Sequence, residues 1–226
     1  MARICVAVAC KGQAHFLAEA VGSLRDQTFE DWEAVVACGD IESQVEAQLL
    51  ARSEPRVWVL QESADRGISD ARNLAIRASG APYCMALDAD DKLDATYMAR
   101  TLPVAGPMMI ATTNLQEFGD RCGWWDTHEL TPQFQTRIYE DNMLHCASVF
   151  SRDLFEKAGG YDTRLNTFED WGLWIAMARA GATVAHVPER LFYYRRHPGS
   201  SSTDARLEAE RNALRRKWAA TTARVP

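Results

Sequence analysis

Two clusters of carboxylates and one run of cations carry the residue types that could do chemistry. In Asp88-Ala89-Asp90-Asp91 the acids follow directly on the apolar run 83–87, so they emerge where a strand ends. In open parallel sheets, ligands bind beyond the carboxyl ends of strands. Asp88 and Asp90 are two apart; if the extended geometry persists they share a side, where two hard oxygen donors can converge on Mg²⁺ or Mn²⁺. Such a cation bridges a diphosphate and neutralises charge as it leaves. The plainer reading is a polar turn after a strand. Glu169-Asp170-Trp171 opens a helix continued by Trp174, Ile175 and Ala178. Acids in a first turn are favoured by the helix dipole alone; the chemical reading is that one projects into a cleft as a general base, a role worth about 10²–10⁴ in rate. Arg195-Arg196-His197-Pro198-Gly199-Ser200 ends a strand with two cations, an imidazole and a turn, groups that serve a pyrophosphate or a metal. Arg72, beside Asn73 in the first turn of another helix, is placed to pair with phosphate, to hold an aspartate of the acidic cluster, or simply to meet water.

The elements that must position these groups alternate between short β-branched runs and amphipathic helical patterns, the signature of βαβ units and a mainly parallel sheet. The spacing predicts strands over 3–9, 32–38, 56–60 and 82–87. Between them it predicts helices around 16–24, over 42–52 and over 69–79, the last with Ser69 as N-cap. The stretch 113–142 loses this periodicity and carries Trp124-Trp125, which reads as an inserted loop region or a substrate lid. Order returns with a helix over 151–158, a helix over 169–180, strands at 182–187 and 191–195, and a charged helix from 203 to about 220.

Composition narrows the function classes. The chain has 226 residues, with 25 Lys and Arg against 31 Asp and Glu for a formal net charge of −6, and 47% hydrophobic residues. An acidic balance argues against a general nucleic-acid binder, whose affinity comes from clustered cations. The longest wholly apolar run, 4–10, falls far short of the roughly 20 residues of a membrane-spanning helix, and no secretory leader is evident. The six cysteines form no C-x-x-C pair and read as reduced thiols in a cytoplasmic protein.

The ordered set of motifs resembles the family-2 glycosyltransferases of the GT-A fold. The residues that carry it are the segment 16–28 with Gln27-Thr28, then Arg66-Gly67-Ile68-Ser69-Asp70-Ala71-Arg72-Asn73, Leu87-Asp88-Ala89-Asp90-Asp91, Gly159-Gly160-Tyr161-Asp162, Phe168-Glu169-Asp170-Trp171 and Tyr194-Arg195-Arg196-His197. The resemblance implies an α/β, Rossmann-like central sheet flanked by helices. It also implies transfer of a sugar from a nucleotide-diphosphate sugar, UDP-linked by default, to an acceptor hydroxyl with inversion. In that pattern Asp88 meets the nucleotide sugar, Asp90 binds Mn²⁺ or Mg²⁺ with Asp88 and His197 nearby, and Asp170 is the catalytic base. The substrate-binding set it suggests is Asp88 with Ala9, Lys11, Asp40, Arg72, Asp91, Glu169, Trp171, Arg195 and Ser200.

Two segments depart from the family pattern. Ala9-Cys10-Lys11-Gly12 stands where a Pro-x-Tyr-Asn-like segment is common, and Ala37-Cys38-Gly39-Asp40 where Asp-Asp-Gly-Ser is common. Asp40 then takes over a base or ribose contact, or is a turn residue. The expected layout is a transferase domain over 1–202, with a donor half to about 112 and an acceptor half beyond it, followed by a helical tail over 203–226. In the acceptor half, Trp124 and Trp125 either stack on a sugar ring or anchor a loop. The tail, with Leu207, Leu214 and Trp218 near one face, is expected to pack on its own domain or on a second copy in a homodimer; its cations leave open peripheral contact with the inner membrane surface. A non-catalytic sugar-nucleotide binder and a nucleotidyltransferase are the competing readings.

Overall fold

The computed structural model describes residues 2–60, 67–126, 133–165, 167–198 and 205–222. In chain order the elements are β1 (Ile4–Cys10), α1 (Ala14–Arg25), β2 (Trp32–Cys38), α2 (Ile41–Ser53), β3 (Val57–Val59), α3 (Ile68–Ala78), β4 (Tyr83–Asp88), β5 (Lys92–Leu93), α4 (Tyr97–Thr101), β6 (Met109–Gly119), β7 (Gly123–Trp125), α5 (Phe134–Arg137), β8 (Phe150–Ser151), α6 (Arg152–Ala158), α7 (Glu169–Arg179), β9 (Thr183–Arg196) and α8 (Ala205–Thr222). The first sheet runs β3-β2-β1-β4-β8. Its first four strands are parallel, and β8 closes it antiparallel to β4. This is the mainly parallel, helix-flanked α/β sheet that the alternating pattern calls for.

β1 shows why the strands are apolar throughout. Ile4, Val6 and Val8 enter one core with Leu17, Val21 and Leu24 of α1, while Cys5 and Ala7 enter a second with Ala71, Ala75 and Ile76 of α3. Alternate side chains point to opposite faces, so helices on both sides bury every position. The cysteines follow the same logic: all six are free, and all but Cys122 are buried.

The second sheet, β5-β9-β6-β7, holds the departures from the sequence-based expectation. Residues 113–119, expected to be irregular, continue the long strand β6, which lies parallel to β9 with a bulge around Thr113–Asn114. Thr112, Thr113 and Asn114 are polar yet buried, and this mixture erases the period-two pattern. The two short strands expected at 182–187 and 191–195 form the single strand β9. Ser69 lies inside α3, not at its cap. Gly67 is the N-cap at φ 110°, a conformation suited to glycine, and the Ser69 hydroxyl donates to the Leu165 carbonyl at 3.1 Å. No helix among the described residues is long and apolar enough to cross a membrane.

Candidate active site

The acidic turn forms where β4 ends, with the Asp91 amide donating to the Asp88 carbonyl at 3.1 Å. Ala9 of β1 is in register with Asp88, so the end of the first strand lies beside the first carboxylate. Arg72, fully buried on α3, reaches this carboxylate from below. Its guanidinium donates to Asp88 Oδ1 and, at 2.6 Å, to Glu169 Oε1. Burial alone would lower the Arg72 pKa, but the two carboxylates hold it well above its ordinary value. The exposed arginine that the sequence left open is excluded, because the side chain bridges two acids from distant segments.

The three carboxylates of the turn have different partners. Asp90 Oδ2 accepts from Gln13 Nε2 at 2.9 Å and lies 3.0 Å from His197 Nε2. Burial and the neighbouring Asp88 raise its pKa, partly offset by His197. Asp91 is buried; its Oδ1 accepts from the Arg195 amide at 2.8 Å, whereas its Oδ2 has no hydrogen-bond partner among the described residues. Burial and the other two aspartates push its pKa far up. Asp88 Oδ2 faces Cys146 Sγ at 3.7 Å. Among the described residues, the metal-ligating types that converge are Asp88, Asp91 and Cys146, with ligand atoms within 4.8 Å of one another, while Asp90 pairs with His197 beside them.

This arrangement fits a divalent cation through its carboxylates. Three acids crowd one turn, and one buried carboxylate oxygen lacks a donor that a cation would replace. Burial first, and Asp88 second, push the Cys146 thiol up and keep it protonated, which makes it a poor ligand for a hard ion. Nothing in the sequence marked Cys146, Gln13 or Asn142; each reaches the site only through the fold.

α7 begins at a strained turn. Phe168 has φ 55°, the one positive φ at a non-glycine among the described residues, an uncommon conformation for a bulky side chain. From there Glu169 turns inward to Arg72 and Asp170 stays partly exposed. Asp170 Oδ1 accepts from the Trp171 amide at 2.7 Å and Oδ2 from Asn142 Nδ2 at 3.0 Å. Burial, and then Glu169, raise its pKa to about 7 against the opposing pull of Arg72.

Other candidates have structural partners. Trp171 is fully buried, and its ring N–H donates to the Ile138 carbonyl at 2.6 Å, so it anchors α7. The Arg195 guanidinium donates to the Asp90 carbonyl at 2.7 Å, pairs with Glu19 and lies over the Phe16 and Phe118 rings; it clamps the acidic turn. Asp40 caps α2, accepting from the Ser43 amide at 2.8 Å and the Gly12 amide at 2.7 Å. These donors hold its carboxyl below the usual range, and they fix the loop after β1. Lys11 is exposed beside Gly39. Ser200 and Arg66 lie outside the described residues. Trp124 and Trp125 are exposed on β7, with the Arg190 guanidinium over Trp124 at 4.9 Å.

Comparison with known proteins bears on this geometry. The family model described as Glycosyl transferase family 2 matches residues 5–158, from β1 to the end of α6. The uncharacterized protein y4gI of Sinorhizobium fredii is 26% identical over 223 residues, 91% of this chain and 24% of its own length. The UDP-Glc:alpha-D-GlcNAc-diphosphoundecaprenol beta-1,3-glucosyltransferase WfgD of Escherichia coli is 27% identical over 96 residues, 42% of this chain and 36% of its own. The chain therefore spans about a quarter to a third of these relatives. Among solved structures, the mannosyltransferase PcManGT of Pyrobaculum calidifontis in complex with GDP-Man and Mn²⁺ has the same fold, with a TM-score of 0.72 at 17% identity, covering 99% of this chain and 65% of that one. With the family match extending over well more than half of its residues, this chain belongs to glycosyl transferase family 2.

Proposed function

We propose that the protein is a metal-dependent, inverting glycosyltransferase that moves a sugar from a nucleotide-diphosphate sugar to an acceptor hydroxyl, with Asp170 as the general base. The observation that carries this reading is the bridge through Arg72. One guanidinium ties the acid at the end of β4 to Glu169, the residue next to Asp170, so the acidic turn and the start of α7 are joined through one buried arginine. The donor class agrees with the names of its similars: a UDP-glucose enzyme among the relatives and a GDP-mannose complex among the structures.

Inverting transfer is a single displacement, with the departing diphosphate and the attacking hydroxyl on opposite faces of the sugar ring. Positive charge develops on the ring and negative charge on the leaving group. Asp88, Asp90 and Asp91, with His197, would hold Mn²⁺ or Mg²⁺, which when bound neutralises the departing diphosphate. Asp170 takes the proton from the acceptor hydroxyl. A carboxyl with pKa about 7 is a stronger base than an ordinary aspartate and is still deprotonated in a useful fraction near neutrality. Asn142 orients one of its oxygens. Arg72 holds the Glu169 side chain in place, and Glu169 beside Asp170 favours proton uptake there.

Asp170→Asn tests the assignment. Donor binding measured by calorimetry with Mn²⁺ should persist while sugar transfer disappears. Full turnover in this variant would remove Asp170 from the mechanism, and metal-dependent donor binding by the parent with no turnover on any acceptor would favour the non-catalytic binder.

A further inference from the structure

The side chain of Gln13 does nothing for the helix it starts. Gln13 is the N-cap of α1, at φ −126° and ψ 21°, and makes no side-chain capping bond; glutamine is not among the residues favoured there, whose short side chains return to the amides of the first turn. Its Nε2 instead donates at 2.9 Å to Oδ2 of Asp90, 77 positions further along the chain, the same oxygen that lies 3.0 Å from His197 Nε2. The backbone leading to it is fixed: the Cys10 carbonyl accepts from the Gly39 amide at 2.9 Å, and the Gly12 amide donates to Asp40 at 2.7 Å. Residues 13, 16 and 19 of this helix edge all meet the surroundings of the acidic turn. The Phe16 ring lies 5.1 Å from the His197 ring and 4.5 Å from the Arg195 guanidinium, and Glu19 pairs with Arg195 and Lys92.

We propose that Gln13 is a positioning residue for the divalent cation, fixing the Asp90 carboxylate from the start of α1; this rests on the reading of the acidic turn as a metal site. An aspartate rotates freely about its side-chain bonds, and one held at a single oxygen has less of that freedom left to lose when it meets an ion. A neutral amide suits the task because it donates without adding charge. A lysine or arginine in its place would repel the ion, and a carboxylate would bind it rather than orient a ligand. The same hydrogen bond joins the loop after β1, where Ala9 and Lys11 are expected to meet the nucleotide, to the turn expected to meet the metal.

Titration of the whole protein with Mn²⁺, the free ion being followed by its electron paramagnetic resonance signal, tests it. Gln13→Met keeps the length of the side chain and deletes the donor. Gln13→Ser deletes it too but supplies a residue suited to cap α1. Both are expected to weaken Mn²⁺ binding by about tenfold or more, with melting temperatures in chelator equal to the parent's or, for the serine, higher. Asp90→Ala marks the affinity that remains when a ligand is lost. Parent-like Mn²⁺ affinity in both Gln13 variants, alongside weakened binding in Asp90→Ala, would overturn the role of Gln13 alone. A loss confined to a variant that also melts earlier in chelator would overturn it as well, leaving the glutamine a structural contact. No Mn²⁺ binding by the parent, or binding indifferent to Asp90→Ala, would overturn the metal reading and this assignment with it.

Discussion

Arg72 and Glu169 stand 97 positions apart in the chain and meet at 2.6 Å in the interior, where the same guanidinium also holds Asp88. Removing a buried cation leaves its partners charged and unpaired, which costs far more than deleting an exposed pair. Arg72→Met is therefore expected to destabilise the fold by roughly 3–5 kcal/mol, read from urea unfolding. Arg72→Lys should fall between, since one ammonium cannot reproduce a fork directed at two carboxylates. A loss in Arg72→Met no larger than that of an exposed ion pair, about 1 kcal/mol, would show that the bridge does not carry this charge.

The sequence makes the ends of this network readable and hides its middle. Asp88 and Asp170 stand out because each sits at an element boundary beside an apolar run, which places it at the end of a strand or the start of a helix. Arg72 shows no sign of burial in its own helix, because what buries it arrives from residues 161 and 169. The parallel sheet is legible because βαβ units repeat a local pattern. Strand β6 is not: Thr112, Thr113 and Asn114 are buried by tertiary contacts, with Ser148 Oγ donating to Thr112 Oγ1 at 2.9 Å, so their polarity misleads a pattern based on hydrophobic alternation. Cys146 likewise looks like core filler until the fold brings it to Asp88.

The raised pKa of Asp170 links activity and stability with opposite signs. As a base it works deprotonated, so kcat/KM should rise with pH through an acid limb near 7. For folding, a carboxyl with a folded pKa above its unfolded value of about 3.9 favours the native state while protonated in it. That contribution is complete below the unfolded value and is lost as pH rises through about 7. Asp170→Asn should therefore abolish transfer and, at pH 8, stabilise the protein by about 1–2 kcal/mol. A variant equally stable or less stable at pH 8 would contradict the proton-binding carboxyl.

The metal assignment predicts a thermodynamic linkage. A nucleoside diphosphate bound only to the native state raises its apparent stability, by about 2.7 kcal/mol at a hundredfold excess over Kd. With Mn²⁺ this rise should be large and with chelator small. Asp90→Ala should remove the metal-dependent part, while Cys146→Ala should keep it, because the protonated thiol contributes little to a hard ion. If chelator leaves the nucleotide effect unchanged in the parent protein, the acidic turn does not operate through a cation.

Trp218 tests where the terminal helix belongs. Its side chain is buried and meets the Trp171 ring edge-on, with centroids 4.7 Å apart. Trp171 in turn fixes the start of α7 through its bond to Ile138. A helix that only rested on a membrane would contribute nothing to stability in solution. One that packs on its own domain loses an aromatic pair and leaves a cavity when the tryptophan is cut back. Trp218→Ala is thus expected to cost about 3 kcal/mol and to speed proteolytic cleavage within residues 205–222. Because Trp171 adjoins the base, the variant should also lose kcat more than it raises KM. Unchanged urea unfolding together with an unchanged cleavage rate would show that α8 is not held by this contact.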